Sequence, residues 1–139
     1  MPFVSLMIAK SDLPENQTKD LIEAITRLMT EVMNKRPERV TVQISTADPQ
    51  KWAVGRKTVA DMDRCAVRMQ IEVTEGTNTL CEKEDMVAQA TKALDDILGI
   101  ELEATYIVIS EVPGVSWGKG GLMLADRTKA DREEARRKA

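Results

Sequence analysis

The sequence of 139 residues contains no histidine. This absence excludes Ser–His–Asp and Cys–His catalysis, and it excludes zinc sites built on imidazole. An enzyme made from this chain would therefore need a proton acceptor of another kind.

Aromatic residues and cysteines are scarce as well. Aromatics make up 3% of the chain, and the two cysteines, Cys65 and Cys81, follow no metal-binding spacing. Hydrophobic residues still account for 42%, so aliphatic and methionine side chains must fill the core. The length is typical of one compact domain.

The chain also lacks the features of a membrane or nucleic-acid partner. No hydrophobic run approaches the roughly 18 residues of a membrane span, and no signal peptide is recognisable. The formal net charge of −3 argues against binding to nucleic acid or to an anionic membrane. We expect a cytoplasmic protein.

An internal repeat organises what is present. Two predicted helices carry apolar residues with the 3.6-residue period, and their positions differ by 65 throughout. The same offset relates Trp52 to Trp117 and Gly55 to Gly120. The helix positions are Leu21, Ile22, Ile25, Leu28, Met29, Val32 and Met33, then Met86, Val87, Ala90, Ala93, Leu94, Ile97 and Leu98, with Gly99 as the predicted C-cap of the second helix.

Each copy, near 2–64 and 67–126, predicts a β–α–β unit whose two strands are parallel. Together they predict an α/β (α+β) fold, with a four-stranded mixed sheet and both helices on one face. A single domain would then span 1–126. The charged segment 127–139 follows it and is assigned no function.

The sheet face opposite the helices is predicted to mix polar and apolar side chains. Sheets with parallel pairs are usually covered on both sides, so we expect this face to contact other subunits. Its residues are Phe3, Ser5, Met7, Thr41, Gln43, Arg68, Gln70, Glu72, Tyr106 and Val108.

Pro2 stands at the head of the first predicted strand, in "MPFVSLMIAK". Proline has no backbone N–H, and the first position of a strand tolerates that loss. Alternatively, removal of Met1 would give Pro2 a free secondary amine able to accept a proton. The residues by themselves leave both interpretations open.

The chain resembles the tautomerase superfamily, in its form with two fused 4-oxalocrotonate tautomerase-like units. The resemblance covers about 2–125. It is carried by the segments "PFVSLMIAK", "DLIEAITRLMTEVM", "VTVQIST" and "TYIVISEVPGVSWGKGG", and by the W-x-x-G hairpin in each copy.

The resemblance implies a tautomerase or isomerase of small 2-oxo or 2-hydroxydienoate acids, without cofactor or metal. Pro2 would be its general base once Met1 is removed, and the assembly would be a homotrimer. Val67 stands at the position of Pro2 in the second copy, so each chain has at most one proline site. Hydration, dehalogenation or decarboxylation of a small acid is an alternative, as is a non-catalytic oligomeric relative.

This sequence departs from the family at the arginines that bind substrate carboxylates. Asp12 and Thr77 stand at one arginine position of the two copies, and Thr41 and Tyr106 at the other. In related dehalogenases an arginine pair follows the strand of the second unit, where Thr74 and Thr77 stand here.

Other residues are candidates to replace the missing arginines. The cations Arg39, Arg68 and Lys119 are candidates to hold a carboxylate or polarise a carbonyl. Lys119 stands where those dehalogenases have an acidic hairpin residue. Tyr106 is a candidate hydrogen-bond donor, and Trp117 or Trp52 a candidate pocket wall. Surface cations, an interface aromatic and hairpin packing are the corresponding structural interpretations.

Overall fold

A computed structural model describes residues 2–62, 64–99 and 104–139, with the backbone alone described for 127–132 and 135. Its first half contains β1 (Phe3–Ile8), α1 (Glu15–Glu31), β2 (Thr41–Thr46), β3 (Ala53–Val54) and β4 (Lys57–Thr58). Its second half contains β5 (Val67–Thr74), α2 (Leu80–Leu98), β6 (Thr105–Val112), β7 (Gly118–Lys119), β8 (Leu122–Met123) and α3 (Leu124–Lys138).

The main sheet has the strand order β2–β1–β5–β6. The pairs β1–β2 and β5–β6 are parallel, and the central pair β1–β5 is antiparallel. The predicted four-stranded mixed sheet is therefore confirmed. Because the central pair is antiparallel, β1 and β2 begin at the end of the sheet where β5 and β6 finish.

Both long helices pack on one face of this sheet. Val4, Leu6 and Ile8 of β1 alternate with outward residues, and the first helix buries Leu21, Ile25, Leu28 and Met29 against them. In the second copy, Met69, Ile71 and Val73 meet Met86, Ala90 and Leu94 in the same core. The buried residues therefore recur with the period of two expected for the strands and the period of 3.6 expected for the helices.

The buried stripe of each helix is narrower than its period predicted. Ile22 and Val87, which occupy the same position in the two copies, remain 42% and 40% exposed. Each lies at the margin of its helix, beside the buried Leu21 or Met86. The predicted C-cap of the second helix is confirmed. Gly99 ends α2 in the left-handed conformation, with φ of +66°.

The charged segment after residue 126 continues α3, whose last turn carries Arg136, Arg137 and Lys138. Basic side chains at a helix C-terminus interact favourably with its dipole. Among the described residues, no helix is both long enough and apolar enough to cross a membrane.

Met69 tests the packing of the central strands, because its side chain is fully buried between both helices' core residues. We expect Met69→Ala to lower the free energy of unfolding by about 2–5 kcal/mol, through lost burial and the cavity left behind. Urea denaturation at one fixed protein concentration measures this. The control Ile22→Ala removes a 42% exposed side chain and should cost less than half as much. Equal losses for the two variants would contradict the described core.

Candidate active site

Pro2 lies at one end of the sheet, just before β1, and is buried. Its carbonyl accepts the backbone N–H of Thr41 at 3.2 Å, which ties it to the start of β2. On the other side, β5 pairs Glu72 with Phe3, so the antiparallel register brings Val73 beside Pro2. We call this end of the sheet the proline end.

The second hairpin, β7–β8, follows β6 at the proline end. The Glu75 N–H donates to the Val112 carbonyl at 2.9 Å, which holds the ends of β5 and β6 together just before the hairpin. Trp117 is half-buried, and its indole Nε1 is buried with no hydrogen-bond partner among the described residues. Lys119 is exposed in β7.

Arg39 also belongs to the proline end. It closes the short turn Pro37–Arg39, two residues before β2 begins beside Pro2. The structure therefore brings Arg39, Trp117 and Lys119 to the same end of the sheet as Pro2.

Arg68, Tyr106 and Trp52 lie at the opposite end of the sheet within one chain. Arg68 is paired with Met7 on one side and Tyr106 on the other, and both Arg68 and Tyr106 are exposed. Arg68 does stand beside Val67, the counterpart of Pro2. The antiparallel pairing of β1 with β5 puts that counterpart far from Pro2 itself.

Trp52 packs in a small second core at this opposite end. Its neighbours there are Ala9, Val59, Ala66 and Ala104. Within a single chain Trp52 is thus a hairpin packing residue.

The proline end contains a group of polar side chains of which the sequence singled out only Thr77. Lys35 Nζ donates to Thr77 Oγ1 at 2.8 Å, and that hydroxyl donates to the Thr74 carbonyl at 2.6 Å. Asn78 and Glu82 complete the group, which we call the Lys35 cluster (Lys35, Thr77, Asn78 and Glu82).

Asn78 connects the two repeats within the Lys35 cluster. Its Nδ2 donates to the Met33 carbonyl at 2.8 Å and to Glu82 Oε2 at 2.6 Å. Burial lowers the pKa of the Lys35 ammonium below the ordinary lysine value, although the negative charge of Glu82 acts in the opposite direction.

A comparison of the two repeats would have drawn attention to Lys35. Its counterpart 65 residues later is Ile100, and the counterpart of Thr77 is Asp12. Ile100 lies outside the described residues. A lysine therefore occurs at this repeat position only in the copy that carries Pro2.

A cleft of about 560 Å³ lies at the opposite end, and its lining includes Lys10, Asp12, Arg64 and Cys65. Burial raises the pKa of the Cys65 thiol, which disfavours the nucleophilic thiolate. The part of the chain that the structure describes contains no group of three or more acidic or cysteine side chains that could hold a metal ion.

Comparison with known proteins agrees with this architecture. The family model described as "Tautomerase enzyme" matches residues 2–62 and 69–127, one match for each repeat. "Probable tautomerase K2" of Dickeya dadantii (strain 3937) is 31% identical over 61 residues, which are 44% of this chain and 91% of that protein.

Solved structures share the fold at low sequence identity. A fused 4-OT wild-type asymmetric trimer has a TM-score of 0.79 at 17% identity, covering 91% of this chain and 98% of that chain. A member of the cis-3-chloroacrylic acid dehalogenase family has a TM-score of 0.77 at 16% identity, covering 96% and 90%. From the match of the family model to both repeats, the chain belongs to the tautomerase family.

Proposed function

We propose that this protein is a cofactor-free tautomerase of small 2-oxo or 2-hydroxydienoate acids, in which Pro2 carries the proton after Met1 is removed. The observation that carries the proposal is the buried Pro2 at the head of β1 in a chain without histidine. The family match that begins at residue 2 supports it.

The chemistry requires only one group that can both accept and donate a proton. An unprotonated Pro2 nitrogen takes the proton of the enol hydroxyl while the C2–O bond becomes a carbonyl. The electron pair of the carbon–carbon double bond then takes that proton back at C3, which leaves the nitrogen unchanged. No electron is gained or lost, so the step balances without a redox partner or metal.

The surroundings of Pro2 suit such a nitrogen. Pro2 is buried, and burial disfavours the charged form of an amine. A base is most effective when its pKa lies near the working pH. Removal of Met1 is essential, because the nitrogen is otherwise part of a tertiary amide and has no basicity.

The proposal includes a homotrimer. Tyr106 and Val108 expose 56% and 40% of their surface on the sheet face away from the helices, and a relative of the same fold is a trimer. Arg68 and Tyr106 are far from Pro2 in their own chain. They can serve its site only if they come from a neighbouring subunit.

Ketonisation of phenylpyruvate enol tests the proposal. Protein whose intact mass shows loss of Met1 should accelerate the reaction, since a positioned general base contributes about 10²–10⁴-fold. The matched control keeps one glycine ahead of Pro2, which converts its nitrogen into an amide and should abolish the acceleration. Equal rates with both preparations, measured by enol absorbance, would contradict the proposal.

A further inference from the structure

Lys35 and Lys83 both lie near the proline end, but their ammonium groups have different partners. Lys83 is paired with the Glu111 carboxylate at 2.9 Å, so its charge is already balanced. Lys35 Nζ instead donates to the neutral hydroxyl of Thr77. An ammonium has three donor hydrogens, and Thr77 is its only hydrogen-bond partner among the described residues, so Lys35 can still bind an anion.

The position of Lys35 is fixed by its surroundings. Its backbone N–H donates to the Met29 carbonyl at 2.9 Å, just beyond the end of α1. The Thr77 hydroxyl uses its hydrogen on the Thr74 carbonyl, so its lone pairs are available to Nζ. A long lysine side chain held in this way loses less entropy when it binds a ligand.

The distance from Lys35 to Pro2 suits a small acid. Nζ reaches the Thr74 carbonyl through the single hydroxyl of Thr77, and Thr74 follows the residue that lies beside Pro2. Neighbouring strands lie about 4.8 Å apart and successive Cα atoms about 3.8 Å apart, so Nζ and the Pro2 nitrogen are separated on the order of 10 Å.

A 2-oxo acid fits this separation, because its reacting C3 lies two carbon–carbon bonds from the carboxylate carbon. Its carbon–carbon bonds are about 1.5 Å long, and a hydrogen bond of about 2.9 Å is added at each end. The carboxylate then meets Nζ while the reacting carbon and oxygen lie near the Pro2 nitrogen.

The burial of Lys35 favours an anionic ligand. Burial lowers the pKa of its ammonium because the charged form has lost contact with water. A bound carboxylate would add to the favourable charge that Glu82 already supplies and would form a charge-assisted hydrogen bond.

The repeat provides an internal comparison. In the sequence, the repeat counterparts of Lys35 and Thr77 are Ile100 and Asp12. Neither offers a cation, and the Asp12 carboxylate would repel a substrate carboxylate. Pro2 and Lys35 thus belong to the same copy, whereas the other copy has Val67 and Ile100 at those positions.

We infer that the Lys35 ammonium, held by Thr77, binds the carboxylate of the acid whose proton Pro2 moves. This inference rests on the proposed function for its substrate. Lys35, just after α1, and Thr77, in the loop after β5, would then bind the carboxylate that arginines bind in the family pattern.

The test compares phenylpyruvate with its methyl ester as ligands of the wild type and of Lys35→Met, by calorimetry or NMR titration. We expect Lys35→Met to weaken phenylpyruvate binding by roughly 10- to 100-fold, the loss of one charge-assisted hydrogen bond. Binding of the uncharged ester should not change. The conservative Lys35→Arg should retain most of the affinity.

Lys83→Met is the matched control, since it removes a half-buried lysine that Glu111 already neutralises. It should leave phenylpyruvate affinity within about twofold of the wild type. In turnover assays, Lys35→Met should raise KM for the enol acid much more than it lowers kcat.

The binding measurement separates this inference from the proposed function. A wild type that binds phenylpyruvate through Lys35 but catalyses nothing would refute the function and retain the inference. If Lys35→Met instead turns over the enol acid with an unchanged KM, the proposed function is retained and the inference about Lys35 is refuted. Equal affinity for acid and ester, or no binding of the acid, would overturn the inference outright.

Discussion

Pro2→Ala is expected to lower kcat/KM for phenylpyruvate enol by about 10²–10⁴-fold, the usual contribution of a positioned general base. Alanine retains an amine, but this primary amine rotates freely about its N–Cα bond, whereas the pyrrolidine ring holds the lone pair of the Pro2 nitrogen in one direction. Stopped-flow absorbance of the enol measures the change. Intact mass must show that Met1 has been removed from both proteins.

The fold should survive this substitution. The bond that ties Pro2 to β2 uses its carbonyl and the Thr41 N–H, both of which remain. Pro14→Ala is the matched control, because Pro14 is an exposed proline at the start of α1. Its kcat/KM should stay within a factor of two.

Two outcomes would count against Pro2. An alanine variant as active as the wild type would mean that another group carries the proton. A wild type no faster than the uncatalysed reaction would support the non-catalytic alternative, in which Pro2 is only tolerated at the head of a strand.

The fold could be predicted because its signals are local and occur twice. The helix period, the strand alternation and the Trp hairpin recur at one offset, and a β–α–β unit has essentially one handedness. Exposure of single helix positions was less predictable. Ile22 and Val87 fit the apolar period, yet they lie at the edge where each helix turns away from the sheet.

Which of the candidate site residues lie near Pro2 could be determined only from the sheet topology. Nothing in the separate motifs says whether Arg68 lies near Pro2 or far from it. The antiparallel pairing of β1 with β5 decides this, since it pairs Arg68 with Met7 rather than with the start of β1. Trp52 and Trp117 are separated to opposite ends for the same reason.

The role of Lys35 could not be predicted from the sequence for a different reason. Its hydrogen bond to Thr77 joins residues 42 apart in the chain, and it depends on how α1 ends and how the loop after β5 turns. The family pattern identifies Thr77 as a position where an arginine is replaced. It does not identify Lys35, whose side chain reaches Thr77 from the end of α1.

The largest expected effect on assembly comes from the outer sheet face. Val108 lies midway along the edge strand β6 on that face, paired with Gln70 of the neighbouring strand, and it is 40% exposed in the single chain. If three subunits cover this face, Val108→Asp introduces a carboxylate with no partner into each contact. An unpaired buried charge costs about 3–5 kcal/mol, which weakens subunit association by roughly 10²–10⁴-fold for each contact.

Light scattering at several protein concentrations measures this effect. The wild type should have three times the mass of one chain, and Val108→Asp should approach the mass of one chain at low micromolar concentration. Far-UV circular dichroism should show that both helices remain. Turnover should fall together with the trimer if Arg68 or Tyr106 of a neighbouring subunit completes the site.

Leu80→Asp is the matched control for this experiment. Leu80 is the first residue of α2 and is 69% exposed, and an acidic residue in the first turn of a helix is favourable. The same hydrophobic-to-acidic change away from the sheet face should therefore leave the trimer intact. A Val108→Asp protein that remains trimeric, or a wild type that is monomeric, would show that the outer face is exposed to solvent. Because Arg68 and Tyr106 would then have no route to Pro2, a substrate carboxylate would depend on cations of the same chain, Lys35 first among them, since Lys83 is already paired with Glu111.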